Sequence, residues 1–417
     1  MSIEVTNVQR LRMYTEFSTA FATDTTGTLA AFSDVPFIEG SAELNLGQVM
    51  LNPEHAQQHI DGHPTQVLGI KECTLSFAMN LAPTGTAAAN GITHPQSVLG
   101  EVLAATIGVE SLGVGNGFST GTSATNFGIA GNTFVNGDFI GAPTGTNAAF
   151  EIRPMKTSAD PACVARMAYS STPNGAVDTA FGCATYGLGT NPLTSLQFIV
   201  EGLETEDRWV TLGMQLESMT IDLPIGELPR MTFSLKGVSW LTGADAAYTS
   251  TGALAAATYA SVDVIKTTGE FLYQTASSPA LPTPLNVSSI TLTPNIGYGP
   301  VKSPGGTNTV ARWRRLRQAP AMSGEFVVPF GDDATAITFL NDRDNKTLKQ
   351  IVFQVGNVAG SSFAIDLPTI QITDLQLGDS EGIRSQTVSF VTQLDSQTTE
   401  SGTPTDLEQS AFRIAFG

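Results

Sequence analysis

Residues 69–81, GIKECTLSFAMNL, alternate between polar and apolar over most of their length. Cys73, Leu75, Phe77, Met79 and Leu81 fall at one parity, while Glu72, Thr74, Ser76 and Asn80 fall at the other. A period of two sends alternate side chains to opposite faces, so the stretch predicts a strand with one face on a core and one face wet. Residues 37–46 behave alike, with Ile38, Ala42, Leu44 and Leu46 against Glu39, Ser41, Glu43 and Asn45. Residues 217–223 and 230–237 add Met219, Ile221, Leu223, Met231, Phe233 and Leu235 as a further apolar set. Such half-buried strands belong to antiparallel sheets.

Helical signals are few. Residues 96–107 follow Pro95 and stack Val98, Leu99, Val102, Leu103 and Ala105 on one stripe. Residues 333–342 form a second short helix, with Asp332 or Asp333 as its cap. The fold class is therefore mainly β (α+β), with a short helix flanking each of two β domains.

The second half repeats the order of the first. Strand 37–47, loop 48–66, strand 68–82, helix 96–107 and paired strands 216–237 are matched in turn. Their counterparts are strand 285–293, loop 294–318, strand 320–330, helix 333–342 and paired strands 369–392. The expected domains are 1–243 and 244–417, with the small-residue stretch 242–261 as linker. Residues 109–195 read as an insertion in the first domain, its part at 109–147 rich in Gly, Thr, Ser and Asn and poor in core candidates.

Composition narrows the functional classes. The chain has 417 residues, with 38 acidic and 20 basic side chains and a net charge of −18. That balance argues against gripping nucleic acid by its phosphates. No apolar run approaches the ~18 residues of a membrane span. The opening MSIEVTNVQRLRMYTEF alternates and shows no signal-peptide core, which predicts a chain outside classical secretion. Cys73, Cys163 and Cys183 are odd in number and lack metal spacing, which suits buried thiols in a reducing compartment.

Candidate chemistry is sparse. Gly117-Phe118-Ser119-Thr120-Gly121 matches a nucleophile elbow, but that motif needs a strand before it, a helix after it and a downstream His. All four histidines precede Ser119, so the loop reading wins. The glycines at 113, 115 and 117 lack the third glycine of a dinucleotide fingerprint. His55, His59 and His63 recur every fourth residue, yet Gly62 and Pro64 stop the helix that would align them for a metal. RWRRLR at 312–317 is the one dense basic run, and its arginines suit carboxylates of a protein surface better than nucleic acid. No enzyme, metal or cofactor is expected.

The local wording resembles the tail tube (major tail) proteins of long-tailed, siphovirus-type bacteriophages, in a duplicated-domain form. The resemblance lies in 320–340 (PAMSGEFVVPFGDDATAITFL), 267–299 (TTGEFLYQTASSPALPTPLNVSSITLTPNIGYG) and 363–370 (FAIDLPTI), and through the repeat in 36–240. Residues 109–195 depart from it. The resemblance implies a structural virion protein, assembled in the host cytoplasm, whose rings stack into a tube that passes genome DNA. It implies partners in other copies of itself and in terminator, tip and tape-measure proteins, with double-stranded DNA in transient passage and no membrane. It also implies an inner wall built from four strands per domain. Polar residues of the wet faces would line it: Glu39, Glu43, Glu72, Thr74, Asp222, Glu325 and Asp374, with Arg230 and Lys236 as exceptions. The long loops carrying His55, His59, Arg312, Trp313, Arg314, Arg315 and Arg317 would join successive rings. A viral shell or decoration protein and a β-rich adhesin are the competing readings.

Strands ~4.8 Å apart and tilted about 40° give a barrel roughly 2 Å of diameter per strand. Six four-stranded domains make a wall about 48 Å across, roughly 38 Å after side chains, which admits duplex DNA. A duplicated chain then needs three copies per ring.

Overall fold

The computed structural model describes residues 2–5, 8, 10–17, 33–51, 67–87, 92–95, 97–112, 116–119, 123–130, 136–144, 149–157, 162–171, 181–189, 194–202, 208–224, 226–242, 269–276, 278, 280–302, 310–329, 333–380, 382–393 and 407–417. Among them are 26 strands and two helices, so the fold is mainly β.

The chain begins with β1 (Ser2–Val5), β2 (Arg10–Phe17), β3 (Ser33–Asp34), β4 (Glu43–Leu51) and β5 (Val67–Asn80). After β6 (Pro83–Ala87) and β7 (Ile92–Pro95) comes α1 (Ser97–Ile107). Shorter strands follow as β8 (Gly108–Leu112), β9 (Asn116–Ser119), β10 (Asn126–Ala130), β11 (Phe139–Thr144), β12 (Ala149–Thr157), β13 (Ala162–Ala165) and β14 (Phe181–Leu188). Then come β15 (Thr194–Glu201), β16 (Arg208–Pro224), β17 (Arg230–Gly237) and β18 (Ser239–Thr242). The second half starts with β19 (Glu270–Thr275), β20 (Thr283–Leu285), β21 (Ser289–Lys302) and β22 (Val310–Pro329). It continues through α2 (Asp333–Asp344), β23 (Lys349–Val355), β24 (Phe363–Ser380), β25 (Ile383–Thr392) and β26 (Arg413–Phe416).

Eight of these strands form one continuous antiparallel sheet in the order β4–β5–β17–β16–β21–β22–β25–β24. Within each half the order is first, second, fourth, third. The two halves join where β16 pairs with β21, from Ile221↔Leu292 to Pro224↔Ser289. β16 and β24 are long, and against its inner-sheet neighbour from the same half each breaks register once, at 216/218 and at 372/374. Such a break bends a strand and lets it serve two sheets. Their N-terminal halves accordingly lie in outer sheets, β3–β2–β15–β16–β18 and β20–β19–β23–β24–β26. For these strands, the pairing order of the first half thus recurs in the second.

Aromatic side chains hold inner and outer sheets together. Phe77 on β5 meets Phe198 on β15 at 5.7 Å between ring centroids, and Phe326 on β22 meets Phe271 on β19 at 5.1 Å. Phe339 of α2 packs on Phe326 at 5.7 Å. Leu99, Val102, Leu103 and Ile107 of α1 are buried in the same core. Each fully buried side chain of this size contributes about 2–3 kcal/mol.

Four expectations need correction. Strand 37–47 is interrupted: Gly40 adopts φ +75° and the Ser41 hydroxyl donates to the Ile38 carbonyl at 2.6 Å. Phe37 makes an isolated bridge to Met79, β4 starts at Glu43, and Glu39 sits in the exposed turn. Residues 294–318 are not a loop throughout. β21 and β22 run on as a hairpin arm with Val301 opposite Arg312 and Ile296 opposite Arg317, because two arms that pair satisfy each other's backbone groups. Segment 109–147 does supply core: its Ile140 and Ala142 cluster with Met155, Cys163, Ala165 and Tyr169. Phe139, Phe150, Ile152 and Cys183 form another with Ala364 and Ala415 of the second half. The elbow motif's Gly117 to Ser119 lie in β9, which pairs with β10, and β10 rather than a helix is the next described element.

That insertion ties the halves together. β14 pairs with β8 and with β26, and β26 also pairs with β24. Arg153 of β12 is buried, and it donates to Glu151 at 2.9 Å, to Glu270 of β19 at 3.1 Å and to Gln354 of β23 at 3.2 Å.

Candidate functional site

The eight-stranded sheet has two unlike faces. Register pairs trace a row across seven strands: Asn80, Arg230, Asp222, Thr291, Glu325, Ser389 and Asp374. One residue away on each strand, and two on β24 across its register break, the row from β5 to β24 is Met79, Met231, Ile221, Leu292, Gly324, Phe390 and Ile372. This second row is the core face. Gly324 is required there, since a Cβ would meet the Phe390 ring at 2.6 Å.

The polar face brings together most of the sequence candidates. Glu43 stands opposite Ser76, Glu72 opposite Gly47 and Thr74 opposite Asn45. Glu43, Glu72, Glu325 and Asp374 are exposed, while Thr74 and Asp222 are half-buried. Glu39 stands apart from the sheet in its turn. Over its paired positions the face carries Glu43, Glu72, Asp222, Glu325 and Asp374 against Arg230 and Lys236. Hydroxyls such as Ser76, Thr220, Thr232, Ser234, Thr291 and Ser323 fill much of the rest.

Both cations have carboxylate neighbours. Arg230 lies 3.2 Å from Glu227, and Lys236 lies 3.9 Å from Glu72. Asp222, Glu325 and Asp374 stand two strands apart in their row, hence about 10 Å from one to the next. That is close to the screening length at physiological salt, ~8 Å, so their fields partly overlap. The Gln376 amide, 3.1 Å away, holds the Asp374 carboxyl below its usual range, helped by the Leu375 backbone N–H.

The sheet's two ends differ from its middle. Residues 363–370 of β24 pair with β23 on one edge, and β25 takes the opposite edge from Ile370 onward. Beyond Ile370, the edge that β23 occupied has no partner among the described residues. The corresponding edge of β16 is where β21 docks. Leu377, in this free stretch, is 76% exposed, and Ile383 across the hairpin is 55% exposed. At the other end, the outer edge of β4 carries only β1 among the described residues, at residues 44–47. Sequence reasoning missed both edges.

Arg312, Trp313, Arg314, Arg315 and Arg317 all lie on β22 in the hairpin arm, opposite Val301, Pro300, Gly299, Tyr298 and Ile296. His55, His59 and His63 lie outside the described residues. Among the described residues no three metal-ligating side chains gather, and no helix is long and apolar enough to cross a membrane. Cys73, Cys163 and Cys183 are buried thiols outside any disulfide, and burial pushes the Cys73 thiol up to about 12. No family model matches the chain, and a search of curated proteins finds no relative.

Proposed function

We propose that this chain is a structural subunit that closes into rings and stacks into a tube, as a phage tail tube protein does. One observation carries the reading. A single antiparallel sheet runs through both halves, with one hydroxyl-rich, acid-leaning face and an unpaired edge on β24.

The recurrence of the pairing scheme supports a duplicated domain. In a duplicated chain the β16–β21 junction is the contact that each chain end would make with the next copy. The β24 edge of one chain then docks on the β4 edge of another, by strand addition that hydrogen-bonds the backbone and covers Leu377. Eight strands from each of three copies make 24 strands and a bore of roughly 38 Å. A wall of hydroxyls with surplus carboxylates gives phosphates nothing to hold, so duplex DNA passes without sticking.

Negative-stain electron microscopy of the purified protein tests this. Rings or stacked tubes are the expected result. Closed shells, or a chain that stays monomeric under all conditions, would replace the reading.

A further inference from the structure

We infer that β1 is an edge guard: it occupies the acceptor edge of β4 in the lone chain and must leave for a second copy's β24 to dock. This rests on the ring reading above and adds how assembly is held back.

The argument is one of register. On β4, Ile3 stands opposite Leu46, Glu4 opposite Asn45 and Val5 opposite Leu44. On β21, Ile221 stands opposite Leu292, Asp222 opposite Thr291 and Leu223 opposite Ile290. Both acceptor strands break register soon afterwards, between Gln48 and Met50 and between Pro294 and Ile296. Counted back from those breaks, Leu46, Asn45 and Leu44 hold the places of Leu292, Thr291 and Ile290. Ile-Glu-Val of β1 therefore stands where Ile-Asp-Leu of β16 stands, in the same antiparallel sense. The apolar–acidic–apolar order is the same.

The two strands differ in what else holds them. β16 is 17 residues long and also pairs with β15, β17 and β18. β1 is four residues long and pairs with β4 alone among the described residues. A short strand held on one side opens at low cost, whereas a long internal one does not. A bare edge invites premature pairing, and a short covering strand is one way of blocking it. An arriving β24 edge replaces the backbone hydrogen bonds of β1 with its own and brings a longer strand, so the exchange favours the partner.

A cross-link placed on the register tests this. Glu4→Cys with Asn45→Cys puts the new thiols at directly paired register positions of β1 and β4, while the three native thiols are buried. Assembly is followed by sedimentation and light scattering in oxidised and reduced forms, beside the intact chain and a variant lacking residues 2–7. The oxidised form should stay monomeric, and reduction should restore assembly at the intact rate. The shortened chain should assemble at least tenfold faster. Equal assembly of oxidised and reduced forms overturns the guard while leaving the ring reading standing. Failure of the pair to oxidise contradicts the register and overturns it too. If the intact, reduced and shortened chains all remain monomeric, the ring reading falls and the guard falls with it.

Discussion

Arg413 Nη1 lies 2.7 Å from Asp366 Oδ2, and neither side chain is exposed to solvent. Asp366 also accepts from Gln350 at 2.9 Å, and Arg413 donates to the carbonyls of Leu407 at 2.9 Å and Glu408 at 2.7 Å. The pair fastens β26 to β24, and through β14 it fastens the insertion to the second half.

Removing one partner of such a pair leaves a buried charge uncompensated, at a cost of about 3–5 kcal/mol. Asp366→Asn should lower the unfolding free energy by an amount in that range, read as a lower urea midpoint at unchanged slope. Asp366→Leu combined with Arg413→Met should recover part of the loss. Denaturation followed by circular dichroism reads both.

Asp374 offers a smaller, local test. Its carboxyl is held low by the Gln376 amide, so the charged form is favoured in the folded chain. A depressed folded pKa adds stability above the unfolded value, and that stability is lost as pH falls through the folded one. The side chain is fully exposed, so the effect on stability should be negligible. Gln376→Ala should move the Asp374 titration upward, toward the ordinary carboxylate range, with no change in melting. Carbon-detected NMR titration of the side-chain carboxyl measures it.

Charge on the polar face should govern DNA passage. Glu43→Lys, Glu325→Lys and Asp374→Lys all change exposed positions and should leave tubes intact. They should slow DNA passage severalfold at low salt, and less at high salt where charges are screened. Ejection rate against salt concentration is the measurement. An unchanged rate removes the electrostatic part of the account.

The hairpin arm carries a further expectation. Arg312→Ser, Arg314→Ser, Arg315→Ser and Arg317→Ser together should leave circular dichroism and melting unchanged and prevent rings from stacking. Each exposed pair contributes at most about 1 kcal/mol, but a ring repeats every contact around its circumference. Long tubes from this variant contradict the assignment.

Much of the inner sheet was legible because its two faces meet different solvents. Met79, Met231, Ile221 and Phe390 must be apolar and their neighbours wet, so the period of two survives in the sequence. Both helices, α1 and α2, also fall where their signals lie. The hairpin arm was not legible, since RWRRLR puts arginines at both parities and its apolar residues, Trp313 and Leu316, at opposite ones. In 109–195, Gly and Thr surround the residues that pack, and Gly141 itself is needed where Phe150 lies against the backbone. Glu39 was misplaced because Gly40 can take a positive φ that breaks a strand without altering its pattern. The β24 edge has no sequence signature at all, because a strand's edge is defined by what pairs with it.

Electron cryomicroscopy of the assembled protein, at a resolution that separates strands, tests the central claim most directly. The account predicts three chains per ring and a closed wall of 24 strands, with residues 371–380 of each β24 hydrogen-bonded to β4 of the next chain. Six chains per ring, or a β24 edge left facing solvent, would contradict it.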